Sequence, residues 1–512
     1  MGWGRTSALA TAALVLAACA SDRPGLDEET AAWWRTTQAL ANDGMEGRDI
    51  GSPGYERAAA YVADRFARAH LVPAGDNGSF LQRIAFDDVE VLSQGTMVSV
   101  AFANGTRRDL GFLQDVAVAP TWEMPATLDA PLVYRGYCAP RDMTGVRGAI
   151  VVCFGTRRTG QTLIGAQTDA ATAAGAVGVV RVDDTAFTME PPRWPLAYAR
   201  TVVFADSEHP HSIPVLRLSA PAFVAIAGQS GQDGAAILEH GGRNAPMAAF
   251  DFGARLQAHF AVRERHYVSE NMIGVLPGTD PALANQPVLL GAHLDGYGYG
   301  TPVNGDNLYN GAFDDAAYVA TLITLADARG GRGFRRPVIF AAFTGEEKGL
   351  LGSRWFAAHP TPAAPAPIAV LNMDQLRPLY PLTILTTLGL DDSTLGQTVR
   401  DVAQPMDIEV RADLEPERNL LRRTDHWPFM QRGVPAVSFL FGFNPGGMEE
   451  ARYHDWYLHR YHAPQDDLST PIDFGAQAKF HRFYFALTEA VANADAPPQW
   501  LPNSPNRPRA SP

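Results

Sequence analysis

The sequence has 512 residues, of which 46% are hydrophobic and 19% are charged, and its formal net charge is −13 at pH 7. A chain of this length exceeds what one hydrophobic core normally supports, so we expect two or three domains. The balance of hydrophobic and charged residues is that of a globular protein and excludes a largely disordered chain. The acidic excess and the lack of any basic run argue against nucleic acid binding, which needs clustered Lys and Arg.

The first nineteen residues have the pattern of an export signal. Arg5 supplies a weakly positive start, and a short apolar stretch follows over residues 8–16. This stretch is too short for a stable membrane-spanning helix, so cleavage is expected. Residues 16–19, Leu-Ala-Ala-Cys, resemble the lipobox of bacterial lipoproteins, in which the lipidated Cys becomes the mature N-terminus. We therefore expect an exported protein anchored by a lipid on Cys19 to a bacterial membrane, the outer membrane facing the periplasm; an ordinary secretory signal is the alternative.

Composition and periodicity divide the rest of the chain into four parts. Helix-spaced apolar residues over 20–91 predict an N-terminal helical segment that joins the last domain. Short β-rich runs over 92–260, with strand–helix–strand units, predict an inserted domain without a catalytic cluster. Residues 261–495 alternate apolar strands with helices, which predicts an α/β fold with a mostly parallel central sheet flanked by helices. The Pro-rich residues 496–512 are predicted to form a disordered tail.

Two cysteines remain once the export signal is set aside. Cys138 and Cys153 both lie in the predicted insert, and no CxxC motif or Cys/His cluster surrounds them, so neither is expected to bind zinc. An exported protein reaches a compartment that permits disulfides. The sequence leaves two alternatives open, a Cys138–Cys153 disulfide or two buried free thiols.

Imidazole and carboxylate side chains follow successive predicted strands of the last domain, or open a helix there. They are His293, Asp295, Asp314, Asp315, Glu346, Glu347, Asp374 and, later in the chain, His462. Each has an ordinary structural alternative, such as a helix N-cap for Asp314 and Asp315 or a solvated helix start for the glutamates. In a largely parallel sheet, however, ligands gather beyond the carboxyl ends of the strands. The joint pattern therefore favours a metal site of nitrogen and oxygen ligands, which suits zinc.

Five short motifs occur in one order within residues 270–490. They are Gly291-Ala292-His293-Leu294-Asp295, Gly311-Ala312-Phe313-Asp314-Asp315, Gly345-Glu346-Glu347, Asn372-Met373-Asp374 and Tyr461-His462. Their order and spacing resemble the co-catalytic di-zinc peptidases of clan MH, family twenty-eight of the metallopeptidases. This family includes bacterial aminopeptidases, glutamate carboxypeptidase, the transferrin receptor ectodomain and glutaminyl cyclases. The resemblance implies the phosphorylase/hydrolase-like fold of zinc aminopeptidases.

Residues 44–48 and 51–54 also look like the N-terminal segment of longer members, and the insert at 92–260 looks like their protease-associated domain.

The resemblance implies two zinc ions per chain, held by five side chains. His293 and Asp374 would bind one ion, and Glu347 and His462 would bind the other. Asp314 would bridge the two ions. Zinc ions about 3.5–4 Å apart lower the pKa of a bridging water towards about 7 and clamp both reacting oxygens.

Other residues have implied roles around the metal ions. Glu346 would be the general base, and Asp295 would orient His293. Tyr461 would hydrogen-bond the oxyanion of the transition state, with simple packing as the alternative. Asp425 and His426 resemble the family's Asp-His segment, and we interpret them as part of the pocket wall.

The implied function is a zinc-dependent exopeptidase acting on peptides, with an aminopeptidase as the favoured form. A carboxypeptidase is the first alternative, because Arg422 or Arg423 at the pocket edge would hold a substrate carboxylate. A one-zinc glutaminyl cyclase and a non-catalytic binding protein are further alternatives, which the complete ligand set and Glu346 disfavour. Two departures from the family pattern, Phe313 and the Ala316-Ala317 pair, are expected to reshape the pocket without removing a ligand.

Overall fold

The computed structural model describes residues 26–158, 160–187, 199–209, 212–374 and 376–508. The predicted export signal and Cys19 lie outside these ranges. Among the helices within them, none is both long enough and apolar enough to cross a membrane.

Helices and strands alternate through most of the described chain. The α-helices are α1 (Glu28–Ala41), α2 (Pro53–Arg68), α3 (Ile164–Ala173), α4 (Ala220–Gln229), α5 (Gly234–Gly242), α6 (Ala317–Arg329), α7 (Leu351–Ala358), α8 (Leu395–Ala403), α9 (Trp427–Gln431), α10 (Met448–His459) and α11 (Phe474–Asn493). The strands are β1 (Val72–Pro73), β2 (Leu81–Val91), β3 (Met97–Phe102), β4 (Arg107–Leu110), β5 (Val116–Ala119), β6 (Thr127–Tyr134), β7 (Ile150–Gly155), β8 (Gly178–Asp183), β9 (Ala199–Phe204), β10 (Val215–Leu218), β11 (Phe250–His259), β12 (Val262–Leu276), β13 (Val288–His293), β14 (Gly298–Val303), β15 (Asp306–Tyr309), β16 (Val338–Phe343), β17 (Ala369–Asn372), β18 (Ile384–Leu388), β19 (Glu409–Arg411) and β20 (Ala436–Phe441).

The larger sheet confirms the α/β class and has the strand order β19-β18-β20-β17-β13-β16-β12-β2-β9, with β1 paired to β12. Its central strands β20, β17, β13 and β16 run parallel. All residues of β13 and β16 are buried, because helices cover both faces of the sheet there. On one side, β12, β2 and β9 pair antiparallel with their neighbours. On the other side, β18 pairs antiparallel with β20 and parallel with β19. The expected parallel arrangement therefore holds at the centre, whereas the whole sheet is mixed.

A second sheet of eight strands, in the order β4-β3-β11-β6-β7-β8-β10-β5, falls within the predicted insert. It has its own apolar core, and its Cys138 and Cys153 form a disulfide, the first of the two alternatives left open by the sequence. One strand departs from the predicted boundary at 92–260, because β9 leaves the insert and pairs with β2 in the larger sheet. Arg200 of β9 explains this position, since its buried guanidinium lies 2.6 Å from Asp49 and 2.7 Å from Asp88.

The C-terminal residues 496–508 contact the body of the last domain, so the predicted disordered tail is wrong for this part. Trp500 donates its indole N–H to the carbonyl of Gly433 at 2.7 Å. Ser504 donates to the Asp392 carboxylate at 2.5 Å, and the amide of Leu501 donates to the Asp392 carbonyl at 2.9 Å. Proline-rich composition disfavours helix and sheet, but it leaves side chains available for such contacts.

Candidate metal centre

The parallel strands bring the predicted ligands to one edge of the larger sheet. His293 is the last residue of β13. Glu346 and Glu347 follow the end of β16 in a short 3₁₀ turn, and Asp374 follows the end of β17. Because the three strands are adjacent and parallel, their carboxyl ends meet at this edge.

Asp314 reaches the same place from a π-helical turn, Ala312–Ala316, that precedes α6. The turn begins at Gly311, whose φ of +59° is in the left-handed region. A Cβ at this position would lie 2.5 Å from the carbonyl oxygen of Asp314, so only glycine fits. The peptide bond between Asp314 and Asp315 is cis.

Two carboxylates fix this turn to its surroundings. Asp466 accepts hydrogen bonds from the amide of Phe313, at 3.0 and 3.2 Å to its two oxygens. Asp315 accepts from the amide of His293 at 3.1 Å, and no N-cap hydrogen bond from Asp315 to α6 is present in the described structure. Its side chain thus joins the turn to the end of β13 instead of capping the helix.

The four other predicted ligands converge on Asp314. The Nε2 atom of His293 lies 3.4 Å from Asp314 Oδ1, while the Nε2 atom of His462 lies 3.3 Å from Asp314 Oδ2 and 3.3 Å from Glu347 Oε2. Two triads of potential ligand atoms, each with all separations within 4.8 Å, share this aspartate. They are His293, Asp314 and Asp374, and Asp314, Glu347 and His462.

The residues fit a pair of divalent cations. Buried polar atoms at the site that have no hydrogen-bond partner within the described structure include His293 Nε2, Asp314 Oδ2 and Glu347 Oε1. A buried polar atom left unsatisfied costs about 1–3 kcal/mol, so such a group of atoms requires an explanation. Two imidazoles and three carboxylates form a donor set that zinc accepts readily. A bound cation would satisfy all three atoms.

Asp295 supports the glutamates directly. Its carboxylate oxygens accept hydrogen bonds from the backbone amides of Glu346, at 3.0 Å, and Glu347, at 3.2 Å. The predicted contact with His293 is made mainly by the main chain, since His293 Nδ1 lies 3.1 Å from the carbonyl oxygen of Asp295 and 3.7 Å from its Oδ1. This one residue therefore fixes both a ligand imidazole and the turn that carries the two glutamates.

Glu346 has the environment of a carboxylate that holds a proton easily. Its Oε2 lies 3.9 Å from His293 Nε2. Burial raises the pKa of Glu346 well above its usual value; the His293 charge opposes the rise, and the neighbouring carboxylates of Asp374 and Glu347 add to it. A raised pKa is what a carboxylate needs to accept and release a proton near neutral pH.

Sequence reasoning missed Tyr297, which lies two residues beyond the first motif. Its hydroxyl hydrogen-bonds Nδ1 of His462 at 3.1 Å, which leaves Nε2 directed at Asp314 and Glu347. Tyr461 contacts the same ring differently, by stacking on His462 with ring centroids 3.7 Å apart. These two tyrosines hold the imidazole in one orientation.

Arg48 was also missed, although it belongs to the N-terminal motif at residues 44–48. Its fully buried guanidinium donates to four main-chain carbonyls, those of Leu40 (2.9 Å), Leu294 (2.8 Å), Asn310 (2.7 Å) and Gly311 (2.8 Å). Leu294 directly follows a predicted ligand, and Gly311 begins the turn that contains Asp314. Arg48 thus ties two ligand-bearing loops to the N-terminal segment.

The remaining predicted residues lie around the site. Asp425 accepts from Ser353 at 2.5 Å, and burial raises its pKa to about 7, an effect that the nearby His293 opposes. Burial lowers the pKa of His426 to about 3. Phe313 is buried in the main core, with its ring 6.5 Å from that of Trp33, so its contacts stabilise the turn from the core side.

Solved structures similar to this chain share its fold over almost the whole length. An aminopeptidase from Aneurinibacillus sp. strain AM-1 is 17% identical, with a TM-score of 0.61 over 94% of this chain and 98% of that one. BSAP, a zinc aminopeptidase from Bacillus subtilis, is 18% identical, with a TM-score of 0.58 over 92% and 97%. A peptidase M28 precursor from Shewanella amazonensis SB2B is 17% identical, with a TM-score of 0.54 over 93% and 98%. At these identities the likeness shows the fold alone.

The sequence of the last domain matches a family model. No curated protein sequence matches the chain. Residues 271–488 match the model of peptidase family M28, and this segment contains all five predicted ligands and Glu346. The match covers the predicted catalytic domain, so this segment is similar to peptidase family M28.

Proposed function

We propose that the protein is a zinc-dependent aminopeptidase that removes residues from the N-terminus of peptides. The observation that carries the proposal is the pair of ligand triads sharing Asp314, with Glu346 beside them. The match of residues 271–488 to the model of peptidase family M28 supports it. So do the two aminopeptidases of the same fold, one of them a zinc enzyme, that match nearly the full chain.

In this proposal the site holds two zinc ions. His293 and Asp374 bind one of them, Glu347 and His462 bind the other, and Asp314 is shared. When bound, the ions would lower the pKa of a water molecule and polarise the scissile carbonyl.

Glu346 supplies the proton transfers. It takes the proton from the attacking water and delivers it to the leaving amine. Asp295 keeps Glu346 in position through the backbone amide. For Tyr461, whose hydroxyl accepts from Arg423 at 3.2 Å, the proposed role is to stack on His462; hydrogen bonding to the oxyanion stays a prediction.

A carboxypeptidase is the second candidate, and the position of Arg423 favours it. Its guanidinium lies against the Tyr461 hydroxyl, next to a predicted ligand, and is the type of group that binds a substrate carboxylate. Arg422, the other cation considered, lies over the ring of Trp427 at 5.1 Å.

Substrate profiling of the purified protein separates the two candidates. The aminopeptidase proposal expects hydrolysis of aminoacyl-para-nitroanilides and of C-terminally blocked peptides, with loss of activity on chelation and recovery with zinc. Peptides with a blocked N-terminus should resist. Release of C-terminal residues from N-blocked peptides, with no hydrolysis of the nitroanilides, would establish the carboxypeptidase.

We also propose that the protein is exported and lipid-anchored through Cys19, with the insert acting as a protease-associated domain. The signal-like residues 1–19 support export, and so does the Cys138–Cys153 disulfide, because disulfides persist mainly in oxidising compartments. Mass spectrometry of the mature N-terminus should find a lipidated Cys19, and Cys19→Ser should release the protein from the membrane fraction. An unlipidated N-terminus at another position would support the secretory alternative.

A further inference from the structure

A buried cation lies against the carboxylate that both proposed metal positions share. Arg377 follows Asp374 by three residues, its side chain is 1% exposed, and its Nη2 lies 3.6 Å from Asp314 Oδ1. Its Cζ lies 4.1 Å from the centre of the Trp456 ring, and Nη1 donates to the carbonyl of Leu376 at 2.6 Å. Nε and Nη2 have no hydrogen-bond partner within the described residues. The guanidinium is thus packed in place and approaches the ligand oxygen directly.

This cation approaches one side of the site. Asp314 Oδ1, the oxygen next to Arg377, is also the one nearest His293, at 3.4 Å from its Nε2. The other oxygen, Oδ2, faces His462 at 3.3 Å. On that second side the Nζ of Lys348 lies over the Tyr297 ring, 4.7 Å from its centre. The charge of Arg377 therefore acts mainly on the position formed by His293, Asp314 and Asp374.

The two positions are otherwise closely matched, since each has one histidine, one carboxylate of its own and the shared Asp314. A guanidinium beside Oδ1 competes with a divalent ion for that oxygen and repels the ion. Burial makes this effect strong, because water and salt screen charges poorly in the interior. The negative charges of Asp374 and Asp466 also interact favourably with the guanidinium.

We propose that Arg377 makes the two metal positions unequal, so that the position of His293 and Asp374 binds its ion more weakly and fills second. The inference rests on the proposed two-zinc function. At limiting zinc, the chain then carries one ion, held by Asp314, Glu347 and His462, and activity follows the filling of the other position. Arg377 sets the zinc concentration at which the position of His293 and Asp374 fills.

Zinc titration of the metal-free protein against a chromophoric chelator tests the proposal without using activity. The wild type should bind two ions in two steps, separated by about tenfold or more in affinity. Arg377→Met, which keeps an apolar stem beside Trp456, should tighten the weaker step by about tenfold and leave the tighter step nearly unchanged. Arg377→Lys, which keeps the charge, should retain two separated steps.

The direction of the change in zinc affinity distinguishes an electrostatic role of Arg377 from a purely structural one. A site merely loosened by the substitution would bind zinc more weakly, whereas removal of a repelling charge strengthens binding. Circular dichroism and thermal unfolding of the metal-free variant show whether it folds. Weaker or unchanged binding in a folded Arg377→Met protein, or equal affinities in the wild type, would overturn the proposal.

A second measurement needs no variant. Crystals of the wild-type protein with one equivalent of zinc should give an anomalous peak between Asp314, Glu347 and His462. A stronger or equal peak beside His293 and Asp374 overturns the inference. Failure of the proposed function would give a different result. A protein that fills both positions in this order but hydrolyses no peptide would contradict the proposed activity and still agree with the inference about Arg377.

Discussion

Glu346 is buried beside His293 and carries a raised pKa, the properties expected of a base that must also return its proton. Glu346→Gln keeps the size of the side chain and removes the base. We expect kcat/KM for aminoacyl-para-nitroanilides to fall by about 10²–10⁴-fold, with zinc content unchanged. Glu347→Gln is the matched control, since it should reduce bound zinc. Activity of Glu346→Gln within tenfold of the wild type would contradict the assigned role.

Tyr297 tests how strongly a hydrogen bond behind a ligand affects metal binding. Tyr297→Phe removes the contact to Nδ1 of His462. We expect zinc affinity to fall by about 10–100-fold, because such partners fix the tautomer and orientation of a ligand histidine. Tyr461→Phe removes a hydroxyl that accepts from Arg423, so it should leave zinc affinity close to that of the wild type. Equal losses in chelator-competition titrations of both variants would show that ring packing alone positions His462.

The sequence singled out residues whose side chains the structure brings together, because carboxylates and imidazoles at strand ends form a recognisable pattern. It could not predict the partners that position them. Arg48 contacts carbonyls 246 and 263 residues away, and Tyr297 contacts a histidine 165 residues away. Such pairs depend on tertiary packing, and a buried Arg or Tyr has no periodic signature.

At the scale of elements, the N-terminal segment supports the candidate metal centre through Arg48. Arg48→Gln shortens the side chain and leaves main-chain carbonyls of both ligand loops unsatisfied. Charged hydrogen bonds contribute about 1.5–3 kcal/mol each, so we expect the free energy of unfolding to fall by about 3 kcal/mol or more. Urea denaturation of the metal-free protein measures this.

Arg57 in α2 provides the control for that measurement. It forms an exposed ion pair with Glu46 and donates to the carbonyl of Gly44. Exposed ion pairs contribute about 0–1 kcal/mol, so Arg57→Gln should change stability by about 1 kcal/mol or less. Similar losses of unfolding free energy in both variants would show that Arg48 stabilises the protein no more than an exposed ion pair does.

His481 in α11 predicts a dependence of stability on pH. Burial lowers its pKa to about 3, and its Nε2 accepts from Gln477 at 2.9 Å. As pH falls, the unfolded chain, with a histidine pKa of about 6.5, is protonated first. The contribution of the neutral ring to the free energy of unfolding is therefore complete above about pH 6.5. It falls by about 1.4 kcal/mol per pH unit as the pH is lowered towards 3.

The stability of a His481→Gln variant isolates this effect. In metal-free protein, the difference in unfolding free energy between wild type and variant should shrink as pH falls from 7 to 4. Chemical denaturation at several pH values measures it. A difference that stays constant over this range would mean that His481 takes up its proton over the same pH range in the folded protein as in the unfolded chain.

The central parallel strands were predictable because strands buried on both faces appear as continuous apolar runs. The antiparallel strands that extend the sheet could not be predicted in the same way. β2 and β12 pair across the whole insert, and β12 has an exposed first half that lacks a continuous apolar run. β9 was assigned to the insert by its position in the chain, whereas the ion pairs of Arg200 place it in the larger sheet.

The whole molecule combines one mixed sheet, which carries the candidate metal centre at the ends of its parallel strands, with a second sheet inserted between β2 and β12. The N-terminal helices pack on α6 and share its core. Segments far apart in sequence thus converge on Asp314. The proposed function requires that these segments together hold two ions.

Counting bound zinc tests this most directly. Mass spectrometry of the native protein should find two zinc ions in the wild type, one each in Asp374→Asn and His462→Gln, and none at low zinc in Asp314→Asn, because that residue is shared by both triads. Two ions retained in Asp314→Asn, or a wild-type protein that binds none, would contradict the account.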